Sequence, residues 1–304
     1  MRRVIFLFCL FMTHHCLGQG NTGVIPVNGT ELFVSDQGKG NSIIVIHGGP
    51  GLNHSYFLPH LNALNASYRV VYFDQRACGL SSGNLDSAQM SLSHFVDDIE
   101  SLRNRLSLGK VIVLAHSWGG LLGMLYASKY PEHVRALILS NTVSPASGEF
   151  ETQTNQRLQS RTTKEDSIQR AAIVQSAAFR AGDPDAYAKL IMLSFKPSFY
   201  DATKMNKMQL HLPTDFKEKR RKLFYMSAEL ARYDFYSNLA QVKCPTLVIH
   251  GDYDAIPIAL SEKIVRMIPD AKMEVIQHAG HFPFIERTET YIEIVHRFIS
   301  ATVK

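Results

Sequence analysis

The residues best suited to chemistry end an apolar run, VIVLAHSWGG, in which Ser117 stands between a histidine and Trp-Gly-Gly. This pattern predicts a buried strand, a tight turn with the serine at its tip, and the start of a helix. Such a turn strains the backbone of its central residue, so it needs small neighbours, here Ala115, Gly119 and Gly120. We expect the turn to lift the Ser117 hydroxyl above the sheet edge, next to the helix N-terminus.

A serine hydroxyl becomes an effective nucleophile only when a base takes its proton and an acid orients that base. Asp254 follows the apolar run TLVIHG, and His281 stands in HAGHFPF, so we predict Asp254 as the acid and His281 as the base. Asp252 competes for the acid role. The G-x-x-D spacing from Gly251 favours Asp254, because Asp252 better suits a turn-capping carboxylate.

A glycine-rich loop follows a second apolar run, IIVIHGGPG, at 43–51. The tetrahedral intermediate of acyl transfer needs two fixed N–H donors for its oxyanion. One is expected from the amide of Trp118, directly after the serine, and the other from the loop after the third strand. We interpret His47, which opens the loop, as a hydrogen-bonding brace.

Five motifs resemble the proline iminopeptidase (prolyl aminopeptidase) branch of the α/β hydrolases: HGGPG at 47–51, DQRACGLS at 74–81, HSWGG at 116–120, GDYDAIP at 251–257 and GHFPF at 280–284. The resemblance covers roughly residues 43–145 and 240–300, and not the segment between them. It implies Ser117 as nucleophile, Asp254 as orienting acid and His281 as base. It also suggests the amides of Gly49 and Trp118 as the oxyanion hole.

The resemblance further implies the α/β-hydrolase fold, a mostly parallel, doubly wound sheet with an inserted helical lid. The chain departs from the branch at Ala77 and Ala115, where glycine is usual. A methyl group at these two positions would shift the 74–81 loop or the serine turn slightly.

Apolar periodicity predicts the same α/β class. Near-continuous apolar runs, typical of parallel strands covered on both faces, occur at 43–46, 69–73, 111–114, 135–140, 246–250 and 272–276. A hairpin is predicted at 24–34 around Asn28-Gly29, and helices near 91–106 and 287–300. We therefore predict a core formed by residues 19–144 and 242–304.

Residues 145–241 lack strand-like runs and are rich in aromatics, so we predict a helical cap that roofs the active site. An aminopeptidase must recognise a free α-ammonium group, which requires carboxylates near the acyl site. The family uses cap glutamates for this. The acids of this cap are Glu149, Glu151, Glu165, Glu218, Glu229 and Asp234, of which we assign substrate binding to Glu229 and Asp234.

The predicted function is a serine hydrolase, similar to proline iminopeptidases, that releases N-terminal proline or a small residue from peptides through an acyl-enzyme. The alternatives are an esterase or amidase for another small acyl compound, or a non-catalytic ligand receptor on the same fold. The receptor is disfavoured because the triad and the oxyanion loop are intact. We expect no cofactor, and no metal, because no histidine pair has the spacing of ligands on a helix face.

The N-terminus predicts export. Arg2 and Arg3 precede the apolar stretch VIFLFCLFM, which is too short to span a membrane, so we predict a signal peptide over 1–18 and a periplasmic or secreted protein. A lipoprotein site at Cys16 is disfavoured, because the preceding Thr-His-His is a poor lipobox.

Composition agrees with an enzyme. The 304 residues, 45% of them hydrophobic, can bury a large core, and the net charge of +5 is mild. We interpret the basic run KEKRRK at 217–222 as a solvated helix face and expect no nucleic-acid partner. Cys78 and Cys244 lie in distant motifs, so we expect two free thiols.

Overall fold

The computed structural model describes residues 22–303, and the predicted signal peptide at 1–18 lies outside the described residues. One eight-stranded sheet has the order β1-β2-β4-β3-β5-β6-β7-β8 in that part of the chain. The β1–β2 and β2–β4 pairs are antiparallel, and all other pairs are parallel. The strands are β1 (Thr22–Val27), β2 (Thr30–Gln37), β3 (Ser42–Ile46), β4 (Arg69–Phe73), β5 (Val111–His116), β6 (Val134–Ser140), β7 (Thr246–Gly251) and β8 (Ala271–Ile276).

Helices cover both faces of this sheet, which is why β3, β5 and β7 are buried along their whole length. The helices are α1 (Leu92–Arg105), α2 (Trp118–Lys129), α3 (Glu151–Arg161), α4 (Lys164–Gln175), α5 (Ala177–Ala181), α6 (Pro184–Phe195), α7 (Phe216–Leu223), α8 (Ser227–Leu230), α9 (Ile258–Met267), α10 (Pro283–Glu286) and α11 (Thr288–Thr302). The predicted α/β fold is confirmed, including the six parallel runs and the hairpin. Both residues of its Asn28-Gly29 turn have positive φ.

The chain leaves the sheet after Ser140 and returns to it at Thr246. The helices α3 to α8 and several short 3₁₀ turns fill this insertion, and an antiparallel bridge between Ala146 and Asp234 joins its two ends. No helix among the described residues is long and apolar enough to cross a membrane. Cys78 and Cys244 are buried and unpaired, as predicted.

Helix α2 lies directly under the sheet because glycines remove side chains from its contact face. A Cβ at Gly119 would lie 2.4 Å from the carbonyl oxygen of Ile46 and 2.6 Å from that of His47. Gly123 leaves space for the methyl group of Ala115, which would be 2.9 Å from a Cβ at position 123. The alanine at 115 is therefore accommodated by the glycine opposite it.

The other departure from the family pattern carries strain. Ala77 is almost fully buried and has φ +55°, a left-handed conformation that favours glycine. Its Cβ costs about 1–2 kcal/mol in that region. The Asp74 carboxylate holds the rest of the loop in place, since it accepts hydrogen bonds from the backbone N–H groups of His54 (2.9 Å) and Leu80 (2.8 Å).

We expect Gly119→Ala to destabilise the fold by at least about 2 kcal/mol, because its methyl group must displace strand backbone and not a flexible side chain. Urea unfolding of the variant measures this. Gly23→Ala is the control, since a Cβ at Gly23 meets nothing within 4 Å. Equal stability of the two variants would contradict the close packing of α2 on β3.

Candidate active site

Ser117 lies at the turn between β5 and α2 with φ 55° and ψ −122°, a conformation that L-residues avoid. Hydrogen bonds hold this strained turn: the Ser117 N–H donates to the carbonyl of Ser140 (3.0 Å), and the Gly120 N–H donates to the carbonyl of Ser117 (2.9 Å). The side chain is left partly exposed at the carboxyl edge of the sheet. This is the geometry that the sequence predicts for the serine.

His281 and Asp254 come from separate loops to meet this serine. Nε2 of His281 lies 2.9 Å from Oγ of Ser117, and its Nδ1 lies 3.0 Å from Oδ2 and 3.2 Å from Oδ1 of Asp254. Asp252 is exposed and accepts a hydrogen bond from the Ala279 N–H at 3.1 Å. The structure therefore brings together the three residues chosen from the sequence and leaves the competing aspartate outside.

Asp254 is buried, and burial opposes its negative charge. The nearby His281 and the hydrogen bonds to Asp254 outweigh that cost, and they lower the pKa of Asp254 to about 2. The donors besides His281 are the side-chain amide of Asn141 (2.7 Å) and the Ile256 N–H (3.1 Å). The carboxylate is thus ionised and fixed at neutral pH, as an orienting acid requires.

The HGGPG loop passes directly over the serine. A Cβ at Gly48 would lie 3.0 Å from the Cβ of Ser117, and Gly49 has φ 135°. Gly49 and Trp118 both line the cavity next to the serine. Trp118 is the first residue of α2, so its N–H has no acceptor within the helix and is available to a ligand.

His47 braces this loop in its neutral form. Its Nδ1 donates to the Gly48 carbonyl (2.7 Å), and its Nε2 accepts from the Gln75 N–H (3.0 Å). Burial lowers the pKa of His47 to about 4. Gln75 also accepts a hydrogen bond from the indole N–H of Trp118 (3.1 Å), which joins the loop to the start of α2.

A second chain of hydrogen bonds links the same loop to the loop of His281. The Gly48 N–H donates to Oη of Tyr56 (2.6 Å), which lies 2.9 Å from Nδ1 of His116, and Nε2 of His116 donates to the carbonyl of His281 (2.8 Å). Burial holds the pKa of His116 well below its usual value. Its neutral ring therefore accepts a hydrogen bond from the Tyr56 hydroxyl and donates one to the His281 carbonyl.

Sequence reasoning missed two of these supporting residues, Tyr56 and Asn141. Asn141 follows β6 directly, and polar residues at the carboxyl ends of parallel strands meet at one edge of the sheet, so its position was a usable signal. Tyr56 lies in a short 3₁₀ turn, His54–Phe57, and no periodicity points to it.

A cavity of about 260 Å³ opens beside Gly49 and Trp118. Most of its lining belongs to the insertion, and Ile256 and Leu260 also contribute. The lining residues from the insertion are Val143, Ser144, Ala146, Gly148, Glu149, Phe150, Glu151, Thr154, Asn155 and Tyr233. Phe150 has φ 62°, an unusual conformation for a bulky residue, and stands between the two lining glutamates.

The structure does not bring the two predicted substrate-binding acids to this cavity. The carboxylate of Glu229 instead accepts the Leu92 N–H (2.9 Å) at the start of α1. Asp234 is exposed and accepts the Tyr236 N–H (3.0 Å). Glu229 thus joins the insertion to α1 and Asp234 stabilises its own turn, while Glu149 and Glu151 line the cavity.

The two lining glutamates differ in their partners. Glu149 contacts Nζ of Lys263 (2.7 Å) and accepts from Ser144 (2.8 Å) and from the hydroxyl of Tyr236. Burial disfavours the charged form of Glu149, but the hydrogen bonds from these three partners outweigh that cost. The pKa of Glu149 therefore lies below its usual value. Glu151 has no hydrogen-bond or ion-pair partner among residues 22–303 and is the carboxylate that remains open to a ligand.

This arrangement has the parts for acyl transfer: a serine hydroxyl in contact with an imidazole, an ionised carboxylate behind it, and two backbone segments beside the serine. Within the described part of the chain, no group of three or more His, Cys, Asp or Glu side chains is placed to hold a metal ion.

Comparison with known proteins gives a consistent result. The family model described as "alpha/beta hydrolase fold" matches residues 41–288. The chain is 28% identical over 298 residues to the proline iminopeptidase of Lactobacillus helveticus, which covers 91% of this chain and 97% of that one. It is 25% identical over 307 residues to the proline iminopeptidase of Saccharolobus solfataricus, with 92% of each chain covered. The crystal structure of a Mycobacterium smegmatis proline iminopeptidase superposes with a TM-score of 0.66 at 22% identity, covering 93% and 98% of the two chains, and shows the shared fold.

We expect Asp254→Asn to slow the hydrolysis of an aryl ester by about 10³–10⁴-fold, because an amide favours the wrong tautomer of His281. Asp252→Asn is the matched control and should cost no more than about threefold, since an amide oxygen can still accept the Ala279 N–H. Steady-state rates of the two variants decide between the aspartates. Equal losses, or a larger loss at position 252, would contradict the assignment.

Proposed function

Because the chain belongs to the α/β hydrolase fold family, we propose that it is a serine hydrolase of the proline iminopeptidase kind, which releases N-terminal proline or another small residue from peptides. The observation that carries the proposal is the contact of Ser117 with His281, and of His281 with Asp254, at 2.9 and 3.0 Å. The similarity to proline iminopeptidases over more than nine-tenths of the chain supports the choice of substrate class.

In the proposed first step, Oγ of Ser117 attacks the acyl carbon while Nε2 of His281 takes the hydroxyl proton. Asp254 holds Nδ1 of the ring and stabilises the imidazolium that forms. The oxyanion develops where the amides of Gly49 and Trp118 meet the cavity. The imidazolium then donates its proton to the leaving amine, which departs and leaves an ester on Ser117.

In the second step, His281 takes a proton from a water molecule, which attacks the ester carbon of the acyl-enzyme. The tetrahedral intermediate collapses, and the proton returns from His281 to Oγ of Ser117. This sequence of steps needs no cofactor. The cavity of about 260 Å³ lies just below the usual volume of small-molecule sites, which suits a small acyl group.

The substrate's free amine gives the proposal its specificity. An ammonium group that loses water on binding needs a carboxylate partner, because leaving it unpaired is costly. Lys263 already neutralises Glu149, so the negative charge left to attract an ammonium group comes from Glu151. We propose that Glu151 pairs with the α-ammonium, with the fixed oxygens of Glu149 beside it.

We expect a free prolyl arylamide to be hydrolysed about 10²-fold faster than its acetylated form, since acetylation removes a charge-assisted contact of roughly 2–3 kcal/mol. Glu151→Gln should remove most of this preference and leave an acetyl aryl ester, which has no ammonium group, unaffected. Glu229→Gln is the matched control outside the cavity. The measurement is kcat/KM for free prolyl, acetyl-prolyl, free alanyl and free leucyl arylamides and the aryl ester.

Two results would overturn the proposal at different levels. If blocked and free substrates react alike, or only the aryl ester is hydrolysed, the peptidase fails and an esterase takes its place. If Ser117→Ala retains full activity, the serine mechanism itself fails.

A further inference from the structure

A buried carboxylate that the proposed chemistry does not use lies close to the base. Glu286 ends α10, five residues after His281, and its side chain is 3% exposed. Its Oε2 accepts the Gly280 N–H at 2.6 Å, and its Oε1 accepts the Asp201 N–H at 2.9 Å. One carboxylate therefore joins the loop that carries the base to the inserted segment.

The same two segments meet at further points around His281. The His281 N–H donates to the carbonyl of Ser198 (2.8 Å), at the end of a 3₁₀ turn, Lys196–Ser198. Nζ of Lys204 donates to the backbone carbonyl of Glu286 (2.8 Å). A Cβ at Gly280 would lie 1.9 Å from the Ser198 oxygen, so the two backbones are in direct contact.

The peptide groups of Gly280 and His281 set the position of the imidazole, and each of them is held by a hydrogen bond. The N–H of Gly280 is held by Glu286, and the N–H of His281 is held by Ser198. The carbonyl of His281 accepts from His116. The backbone on both sides of the base is thus fixed by groups that never reach the substrate cavity, and two of its anchors depend on the docked position of residues 198–201.

A buried carboxylate is costly unless its oxygens are fully hydrogen-bonded. Burial raises the pKa of Glu286, while the backbone N–H groups of Asp201, Gly280 and Tyr200 work in the opposite direction. A neutral residue of similar size would avoid the cost. A carboxylate suits this position because each of its two oxygens accepts a hydrogen bond from a different backbone segment.

We propose that Glu286 is a positioning residue for the base: its carboxylate locks the backbone at Gly280 to the inserted segment at Asp201, and so holds His281 in contact with Ser117. This inference rests on the proposed role of His281 as the base. It predicts that loss of the lock lowers the reactivity of Ser117 without changing how substrate is bound, because neither oxygen of Glu286 faces the cavity.

The test uses the full-length protein with Glu286→Gln, Glu286→Ala and, as matched control, Glu289→Gln. Glu289 is an exposed glutamate in the first turn of α11. Three quantities are measured for each: the rate at which a fluorophosphonate labels Ser117, kcat and KM for an acetyl aryl ester, and the midpoint of thermal unfolding. The labelling rate reports activation of the serine independently of recognition of the substrate amine.

We expect Glu286→Ala to lower both the labelling rate and kcat by about 10²-fold, the effect of displacing a reacting group by about an ångström, while KM changes by less than about threefold. Glu286→Gln should recover part of the loss, because its amide oxygen can still accept one of the two N–H groups. The control should match the wild-type protein. If Glu286→Ala does not fold, Glu286→Gln alone decides, with an expected loss of about tenfold.

The inference is overturned if folded Glu286 variants label at the wild-type rate, or if their loss lies only in KM. Failure of the wild-type protein to be labelled at Ser117 is a different result. It would remove the proposed function, and with it the base that Glu286 positions.

Discussion

The 2.9 Å contact between Nε2 of His281 and Oγ of Ser117 joins residues 164 positions apart in the chain, so it exists only while separate loops at one edge of the sheet keep their places. The serine is fixed by its strained turn between β5 and α2. The turn also requires glycine at 119, where α2 touches the carbonyl groups of Ile46, the last residue of β3, and of His47. Packing of one helix on one strand therefore sets the position of the nucleophile.

Around this contact, the buried side chains of His47, His116 and Asp254 all have hydrogen-bond partners. Burial and these partners together determine whether each group is charged. Burial lowers the pKa of His47 and His116, which serve as neutral hydrogen-bonding braces. Despite its burial, Asp254 stays charged because His281 and Asn141 stabilise its carboxylate. The low-dielectric surroundings strengthen each of these bonds and penalise any that is lost. The network consequently favours one arrangement of the loops over others.

The sequence predicted those parts of the site that follow strand ends. Ser117 comes directly after β5 and Asp254 three residues after the end of β7, where an apolar run and a turn leave little choice of geometry. It did not predict which acids line the cavity. The structure places Glu229 and Asp234 outside the cavity, because docking of the insertion depends on tertiary contacts that helical periodicity does not encode. Glu149 and Glu151 line the cavity although they stand nine and eleven residues after the end of β6.

In the proposed mechanism, Ser117 carries the acyl group during turnover. Rapid acid quenching of the protein with a free prolyl aryl ester, followed by peptide mass mapping, tests this claim directly. We predict a prolyl adduct confined to the peptide that contains Ser117, formed in a burst that precedes steady release of proline. Release of product with no adduct at any time, or an adduct on another residue, would contradict the account.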